Sequence, residues 1–251
     1  MIEPRIGRRM ALGALLTGFL GACSKVAASG PGAGLLESVE RWNLAAHRLL
    51  TKRNALAREF DRADISPSFR GNGNVRPDAF DYAMHEAAGF SSWRLAVGGL
   101  VDKPLTLSLD QLKAMPQRSQ ITRHDCVEGW SAIGEWTGPQ LGPILRLAGV
   151  KPEARFIVFR CADNFRGTPY YESVDLVDAF HPQTIVAHAL NGAPLPIKNG
   201  APLRMRIERQ LGYKHAKYVT GIEAVASLAG IGEGRGGYWE DSAGYEWYAG
   251  I

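Results

Sequence analysis

The 251-residue sequence is short of three things that would place it at once: cysteine, net charge and long apolar runs. Only Cys23, Cys126 and Cys161 occur, none with cysteine partners at zinc-finger spacing. The formal charge is +4; setting aside residues 1–22, which hold three arginines and one glutamate, leaves 26 basic and 24 acidic residues. That small surplus gives no reason to expect nucleic acid as a partner. The apolar run "MALGALLTGFLGA" has thirteen residues, too few for a permanent membrane-spanning helix. Repeats and low-complexity tracts are missing as well. What is present, 45% hydrophobic and 22% charged residues, is the composition of one globular domain with a sizeable core, alone or with a tail.

Arg5, Arg8 and Arg9 precede that apolar run, so residues 1–22 read as a signal peptide. "LGAC", ending at Cys23, resembles the lipobox of bacterial lipoproteins, which implies lipidation of Cys23 and a mature chain that starts there. Arg8-Arg9 resembles a twin-arginine export signal, although Gly7 and Ala11 depart from its usual surroundings. Residues 23–34, small and Gly-rich, read as a flexible tether. Over 35–62 the residues Leu35, Val39, Trp42, Ala46, Leu49, Leu56 and Phe60 recur at three- and four-residue steps, interrupted by Arg53, and predict an amphipathic helix.

From 63 to 251 the pattern changes to a mixed α+β domain. "SPSFRGNGNVRP" is loop. "WRLAVGGLV", "PLTLSL", "RFIVFRC", "TIVAHAL", "LRMRIE" and "KYVTGIEAV" predict strands, while Ser108 with Gln111 predicts a capping box opening the short helix "LDQLKAM". "LGPILRLAG" predicts a second short helix.

The chemically loaded stretch is "RHDCVEGW", residues 123–130. Cys126 reads as a buried small hydrophobe, as a disulfide partner of Cys161, as a nucleophile with His124 as base, or as the one protein thiolate on a metal otherwise held by a cofactor. Its polar neighbours favour a functional thiol, and cations beside it would lower its pKa.

"RHDCVEGWSAIGEWTG", "LRLAGVKPEARFIVF", the stretch from "HPQTIVAHALNGAPLPIKNGAPLR" to "GYKHAKYVTGIEAV", and "GGYWED" together resemble the sulfite-oxidase-type molybdopterin domain, most closely its small bacterial branch that includes periplasmic methionine-sulfoxide reductases. The resemblance covers roughly residues 65–245. It implies mixed sheets with short helices, a molybdenum-molybdopterin cofactor, and Cys126 as the single protein ligand of molybdenum beside a pterin dithiolene and oxo groups. It also implies pterin contacts from Asn72, Asn199 and Arg204 and a phosphate-side segment His215, Ala216 and Lys217. Cys161 stands where relatives place Thr or Ser beside the cofactor. Asp163 and Tyr170 are candidates for the substrate mouth, His124 for support of the site, and Arg123, Arg160 and Arg166 for an anion-binding pocket.

The implied reaction is oxygen-atom transfer on a small-molecule substrate, a sulfur oxyanion or an S-oxide; the alternatives are a cofactor-binding or redox-sensing lipoprotein without turnover and a cysteine hydrolase that needs no molybdenum. No Cys-x-x-Cys-His haem site and no dimerisation domain is found, so the expectation is a monomer served by a separate electron-transfer protein, a cytochrome or a membrane haem subunit. Its expected location is the periplasm, on a membrane through a lipid anchor, after export in the folded state.

Overall fold

A computed structural model of the protein describes Val39 and residues 42–251. The signal peptide, Cys23 and the tether lie outside the described residues. The chain divides into a first unit ending at Thr51 and a second, Lys52 to Ile251. In the first, helix α1 covers residues 42–50. The helix expected over 35–62 therefore stops earlier than its apolar stripe suggested. Beyond the turn at 51–54 the chain is extended: Phe60 N–H donates to Ile121 O at 2.9 Å, Glu59 bridges Thr122, and Ala57 exchanges hydrogen bonds with the Gln183 side chain. Leu56 and Phe60 thus follow a strand edge, and the interruption at Arg53 marks the end of helical periodicity.

The second unit is built on three sheets. The largest has the order β2-β1-β11-β5-β6, from β1 (Arg94–Gly99), β2 (Leu105–Ser108), β5 (Phe156–Phe165), β6 (Thr168–Asp175) and β11 (Val219–Val225). β1 and β11 run parallel; the other pairs are antiparallel. A second sheet joins β3 (Gln117–Cys126), β4 (Trp130–Pro139), β8 (Ala189–Leu190) and β9 (Ala193–Pro194). The third pairs β7 (Ile185–Ala187) with β10 (Arg204–Arg206). Short helices α2 (Phe80–Ala87), α3 (Leu109–Ala114), α4 (Leu141–Ala148), α5 (Leu176–Ala179) and α6 (Tyr238–Ala243) complete it.

The local signals act as the sequence predicts. Ser108 Oγ accepts from Gln111 N–H at 3.1 Å and Gln111 Oε1 accepts from Ser108 N–H at 2.8 Å, so α3 begins with two otherwise orphaned donors satisfied. α4 buries Leu141, Ile144, Leu145 and Ala148 completely in the main core. Each large aliphatic there contributes about 1.5–3 kcal/mol relative to exposure.

Strands β3 and β4 form a long hairpin, in register from Gln117–Pro139 to Cys126–Trp130, closed by Gly129 N–H to Cys126 O at 3.0 Å. Gln120, Thr122, His124 and Cys126 share the buried face of β3, as the two-residue strand period requires. β4 crosses β7 so closely that a Cβ at Gly138 would lie 2.6 Å from Val186 C and 2.7 Å from Ala187 Cα. Gly138→Ala must push backbone apart, and the expected loss is about 1–3 kcal/mol, read as a lower denaturation midpoint with an unchanged m-value.

Candidate active site

Cys126 ends β3 at the wall of a cavity of about 210 Å³. Asn72, Gly73 and Asn74 from the loop before α2 line it, with Glu128 from the hairpin turn, Asp163, Phe165 and Tyr170 from β5 and β6, and His215 and Lys217 from the segment leading into β11. Tyr213, Trp239 and Tyr245 close the remaining side. Trp239 stacks on Tyr245 at 5.8 Å between ring centroids, and Phe165 on Tyr238 at 5.0 Å, so aromatic rings make up a large part of the lining and its backing.

Several buried polar atoms here lack a partner within the protein: Asn72 Oδ1, Asp163 Oδ1, Asn199 Oδ1, Arg204 Nε and His215 Nδ1. Orphaned buried groups in such number are costly unless a ligand satisfies them. His215 Nε2 lies 3.0 and 3.1 Å from the carbonyls of Ile207 and Gln210, which fixes the proton on Nε2 and leaves Nδ1 as an acceptor. Asn199 donates to Arg70 O at 3.0 Å, tying its amide to the Asn72 loop while Oδ1 stays open.

Arg204 and Arg206 are fully buried, as are Met205 between them and Leu203 and Ile207 on either side, so the alternation in "LRMRIE" does not mark a solvent face. Arg204 donates to Asn199 O at 3.0 Å and His215 O at 3.3 Å and lies over the Trp136 ring at 5.0 Å. No carboxylate pairs with it in the structure's ion pairs among the described residues, and burial, then the Arg206 charge, holds its pKa down to about 9. Lys217 donates to the Asn74 and Lys198 carbonyls, and burial followed by the Arg204 charge lowers it to about 7. Asp163 is raised to about 6, chiefly by burial, against the opposing Asn74 hydrogen bond and Lys217 charge.

The remaining expected residues divide. Ala216 is buried with its N–H on Lys214 O and its carbonyl on Met205 N–H, so its backbone offers no donor to a phosphate. Cys161 is a free, half-buried thiol behind the lining rather than on it, and Cys126 is free too, so the two are not joined. Burial, then the Glu128 charge, pushes the Cys126 thiol up, the reverse of the lowering expected from its cationic neighbours. His124 is held by Arg206 at 2.9 Å on Nδ1, an arrangement for support rather than for a base beside a nucleophile. Arg123 pairs with Asp125, Arg160 with Glu223, and no arginine among the described residues lines the cavity. Glu128 and the aromatic residues of "GGYWED" do line it or back it; the motif was visible in the sequence, but its place at the cavity was not.

A mixed α+β fold that brings a lone thiol, unmatched cations and open hydrogen-bonding atoms around one cavity defines a cofactor-dependent redox enzyme. The chain belongs to the family described as the oxidoreductase molybdopterin binding domain, matched over residues 83–229. It is 40% identical over 195 residues to a putative protein-methionine-sulfoxide reductase subunit YedZ1 of Azospira oryzae, covering 76% of this chain and 70% of that one. It is 38% identical to the protein-methionine-sulfoxide reductase catalytic subunit MsrP of Xanthomonas axonopodis pv. citri, over 55% of this chain and 46% of the relative. The MsrP of Campylobacter jejuni is 31% identical over 53% and 48%. The chain thus spans about half the length of these catalytic subunits. The sulfane dehydrogenase SoxCD of Paracoccus pantotrophus shares the fold, with a TM-score of 0.50 and 22% identity over 55% of this chain and 39% of that one.

The family implied by "RHDCVEGW" and its companions is the one found, and its cofactor is molybdenum-molybdopterin. The residues fit that group: a thiol for a soft metal, carboxamide and imidazole acceptors for a pterin's N–H edges, and two cations depressed by burial for an anionic tail.

Lys217 supplies a test. Its folded pKa of about 7 lies below the ordinary 10.5, so between those values the unfolded chain binds a proton that the folded chain does not. In cofactor-free protein the penalty for burying it is full below pH 7 and fades as pH rises toward 10.5. The stability difference between wild type and Lys217→Gln, measured by denaturant melts at pH 6 and pH 9 without cofactor, should move in favour of wild type at the higher pH.

Proposed function

We propose that this chain reduces S-oxides of neutral sulfur compounds, the methionine-sulfoxide side chain among them, at a molybdenum bound by Cys126 Sγ. The observation that carries this reading is the make-up of the cavity beside Cys126: among the described residues no arginine lines it, Glu128 and Asp163 are its acidic groups, and five aromatic rings, Phe165, Tyr170, Tyr213, Trp239 and Tyr245, belong to the lining. A sulfur oxyanion would meet carboxylates there with Lys217 as the compensating side chain. A neutral S-oxide with apolar flanks is suited to the same walls, since sulfur and methyl groups pack favourably on aromatic rings. The names of the curated relatives point the same way.

When bound, molybdenum-molybdopterin supplies two-electron oxygen-atom chemistry. The chain's own residues do the rest. Cys126 is the soft ligand at the end of a rigid strand, and Asn72, His215 and Lys217 face the cofactor from the lining, backed by Asn199 and Arg204. Phe165, Trp239 and Tyr245 restrict water on the substrate side. Electrons come from a separate electron-transfer protein, in keeping with relatives named as catalytic subunits.

Cys126→Ser replaces a soft thiolate by a neutral hydroxyl and should abolish S-oxide reduction while emptying the molybdenum site or altering its spectrum. Wild type should reduce a dialkyl sulfoxide and a methionine-sulfoxide peptide and leave sulfite unoxidised. Full activity of the serine variant with an unchanged metal spectrum would overturn the ligand assignment.

We infer too that Arg8-Arg9 direct folded export and that Cys23 carries the lipid that holds the mature chain on a membrane. Among the described residues no helix is long and apolar enough to cross one. Several acyl chains give stable anchoring at about 0.8 kcal/mol per buried methylene. Replacing both arginines by lysine should leave molybdenum-loaded protein in the cytoplasm, whereas Cys23→Ala should still be exported but lose the membrane fraction; soluble wild-type protein in the periplasm would remove the anchor.

A further inference from the structure

Directly behind the cavity lies a charged cluster to which the reading above gives no task. Lys214 Nζ stands 2.7 Å from Glu172 Oε2 and pairs on its other side with Glu240 Oε1, and none of the three side chains is more than 1% exposed. Two carboxylates against one ammonium leave an uncompensated negative charge away from water, which is expensive. The carboxylates also crowd each other: a Cβ at Gly237 would meet both Glu240 Oε2 and Glu172 Oε2, so the two approach across a bare α-carbon. One added proton makes the cluster neutral and turns that repulsive approach into a favourable one.

Hydrogen-bond counting leads independently to the same proton. The Tyr170 hydroxyl lies 2.9 Å from Tyr213 O and 3.3 Å from Glu172 Oε1. A phenol has one proton to give, and the carbonyl can only accept. With the phenol's proton on the closer carbonyl, the contact with Glu172 is a hydrogen bond only when the carboxyl is the donor. Burial and the Glu240 charge both push Glu172 well up, against the pull of Lys214. The ionisable groups facing Glu172 are Lys214, Glu240 and Tyr170, with Cys161 and Asp163 beyond the phenol. Tyr170 itself lines the cavity with Cys126.

We propose that Glu172 and Glu240, bridged by Lys214, hold one proton between them, and that Tyr170 delivers it into the cavity to the oxygen leaving an S-oxide. The delivery half rests on the proposed S-oxide reduction. Overall, one dialkyl sulfoxide takes up two protons and two electrons and gives one dialkyl sulfide and one water. The sulfur–oxygen bond breaks, sulfur gains two electrons from the reduced molybdenum cofactor, and the oxygen leaves as water. The electron-transfer protein restores the electrons. One proton comes from Glu172: the phenol hydroxyl turns from the Tyr213 carbonyl toward the cavity and passes its own proton to the oxygen as it receives that of the carboxyl, so that no phenolate forms. The second comes from water at the mouth of the cavity. The cluster then recovers its proton from water along the same phenol.

Infrared spectroscopy of the cofactor-loaded protein at neutral pH tests the shared proton apart from turnover. Wild type should show a protonated-carboxyl stretch that both Glu172→Gln and Glu240→Gln abolish, since either change leaves a balanced Lys–Glu pair. Tyr170→Phe should keep the stretch and lower single-turnover S-oxide reduction by a pre-reduced enzyme about a hundredfold, with loss of the solvent deuterium effect. No such stretch in wild type, or one that survives both glutamine variants, overturns the shared proton. An unchanged single-turnover rate in Tyr170→Phe overturns the delivery route. A wild-type enzyme that shows the stretch but turns over no S-oxide supports the shared proton and retires the proposed reaction together with the delivery step.

Discussion

A single buried ion pair fixes the strand that carries Cys126. Arg206 and Glu208 are fully buried; the guanidinium donates to the carboxylate at 2.9 and 2.6 Å. The same pair reaches every earlier inward residue on the buried face of β3: Gln120 donates to Glu208 at 2.8 Å, Arg206 touches Thr122 at 3.4 Å and holds His124 at 2.9 Å. Cys126 is the next residue on that face. A buried pair of this kind is weak evidence for stability, because desolvation offsets most of its attraction. Its value is positional. A one-residue slip of β3 would take all four side chains off the core face and leave Arg206 and Glu208 without three of their partners.

The cavity sits between two opposite failures of charge balance. On the Arg204 side, positive charge is in excess: Arg204 and Lys217 are both depressed by burial and donate to carbonyls and, for Lys217, to the Tyr218 hydroxyl at 3.5 Å rather than to a carboxylate. On the Glu172 side, one lysine serves two carboxylates. An anionic cofactor relieves the first imbalance and a proton the second. The fold keeps the two apart by placing Arg204 on β10, in the two-stranded sheet, and Glu172 on β6, at the edge of the five-stranded one.

What could be read from the sequence follows the range of the signal. The capping box at Ser108 and the amphipathic α4 are local and appear as expected. "RHDCVEGW" and "NGAPLR" led to the right family because motifs preserve the order of residues that fold together. The hairpin of β3 and β4 was missed because Gly134, Gly138 and the polar Gln120, Thr122 and His124 spoil the hydrophobic alternation; those positions serve close backbone approach and the buried pair instead. The alternation in "LRMRIE" is equally that of a strand with a solvent face, and it could not tell that Arg206 is buried because its hydrogen-bond partners, Glu208 apart, lie more than eighty residues away. Lys214 and Glu240 fall inside "GYKHAK" and "GGYWED" but had no role there, and Glu172 lay in no motif, because the three are meaningful only once β6, the turn before β11 and α6 meet.

The direction of oxygen transfer has a physical limit that the site cannot escape. A group that donates a proton to a departing oxygen in one direction must accept it from water in the other, so the proposed singly protonated Glu172–Glu240 pair, neutral together with Lys214, would lower the barrier both ways. Which way the reaction runs is set by the potentials of the sulfur compound and the electron-transfer protein. In the proposed reaction the cavity selects the sulfur compound by its lining. Facing carboxylates and aromatic rings rather than arginines, a doubly charged oxyanion loses its hydration without regaining equivalent contacts, whereas a neutral S-oxide loses little. On the proposed reading, selection by desolvation favours the same substrates whose reduction would draw on the proton held behind Tyr170.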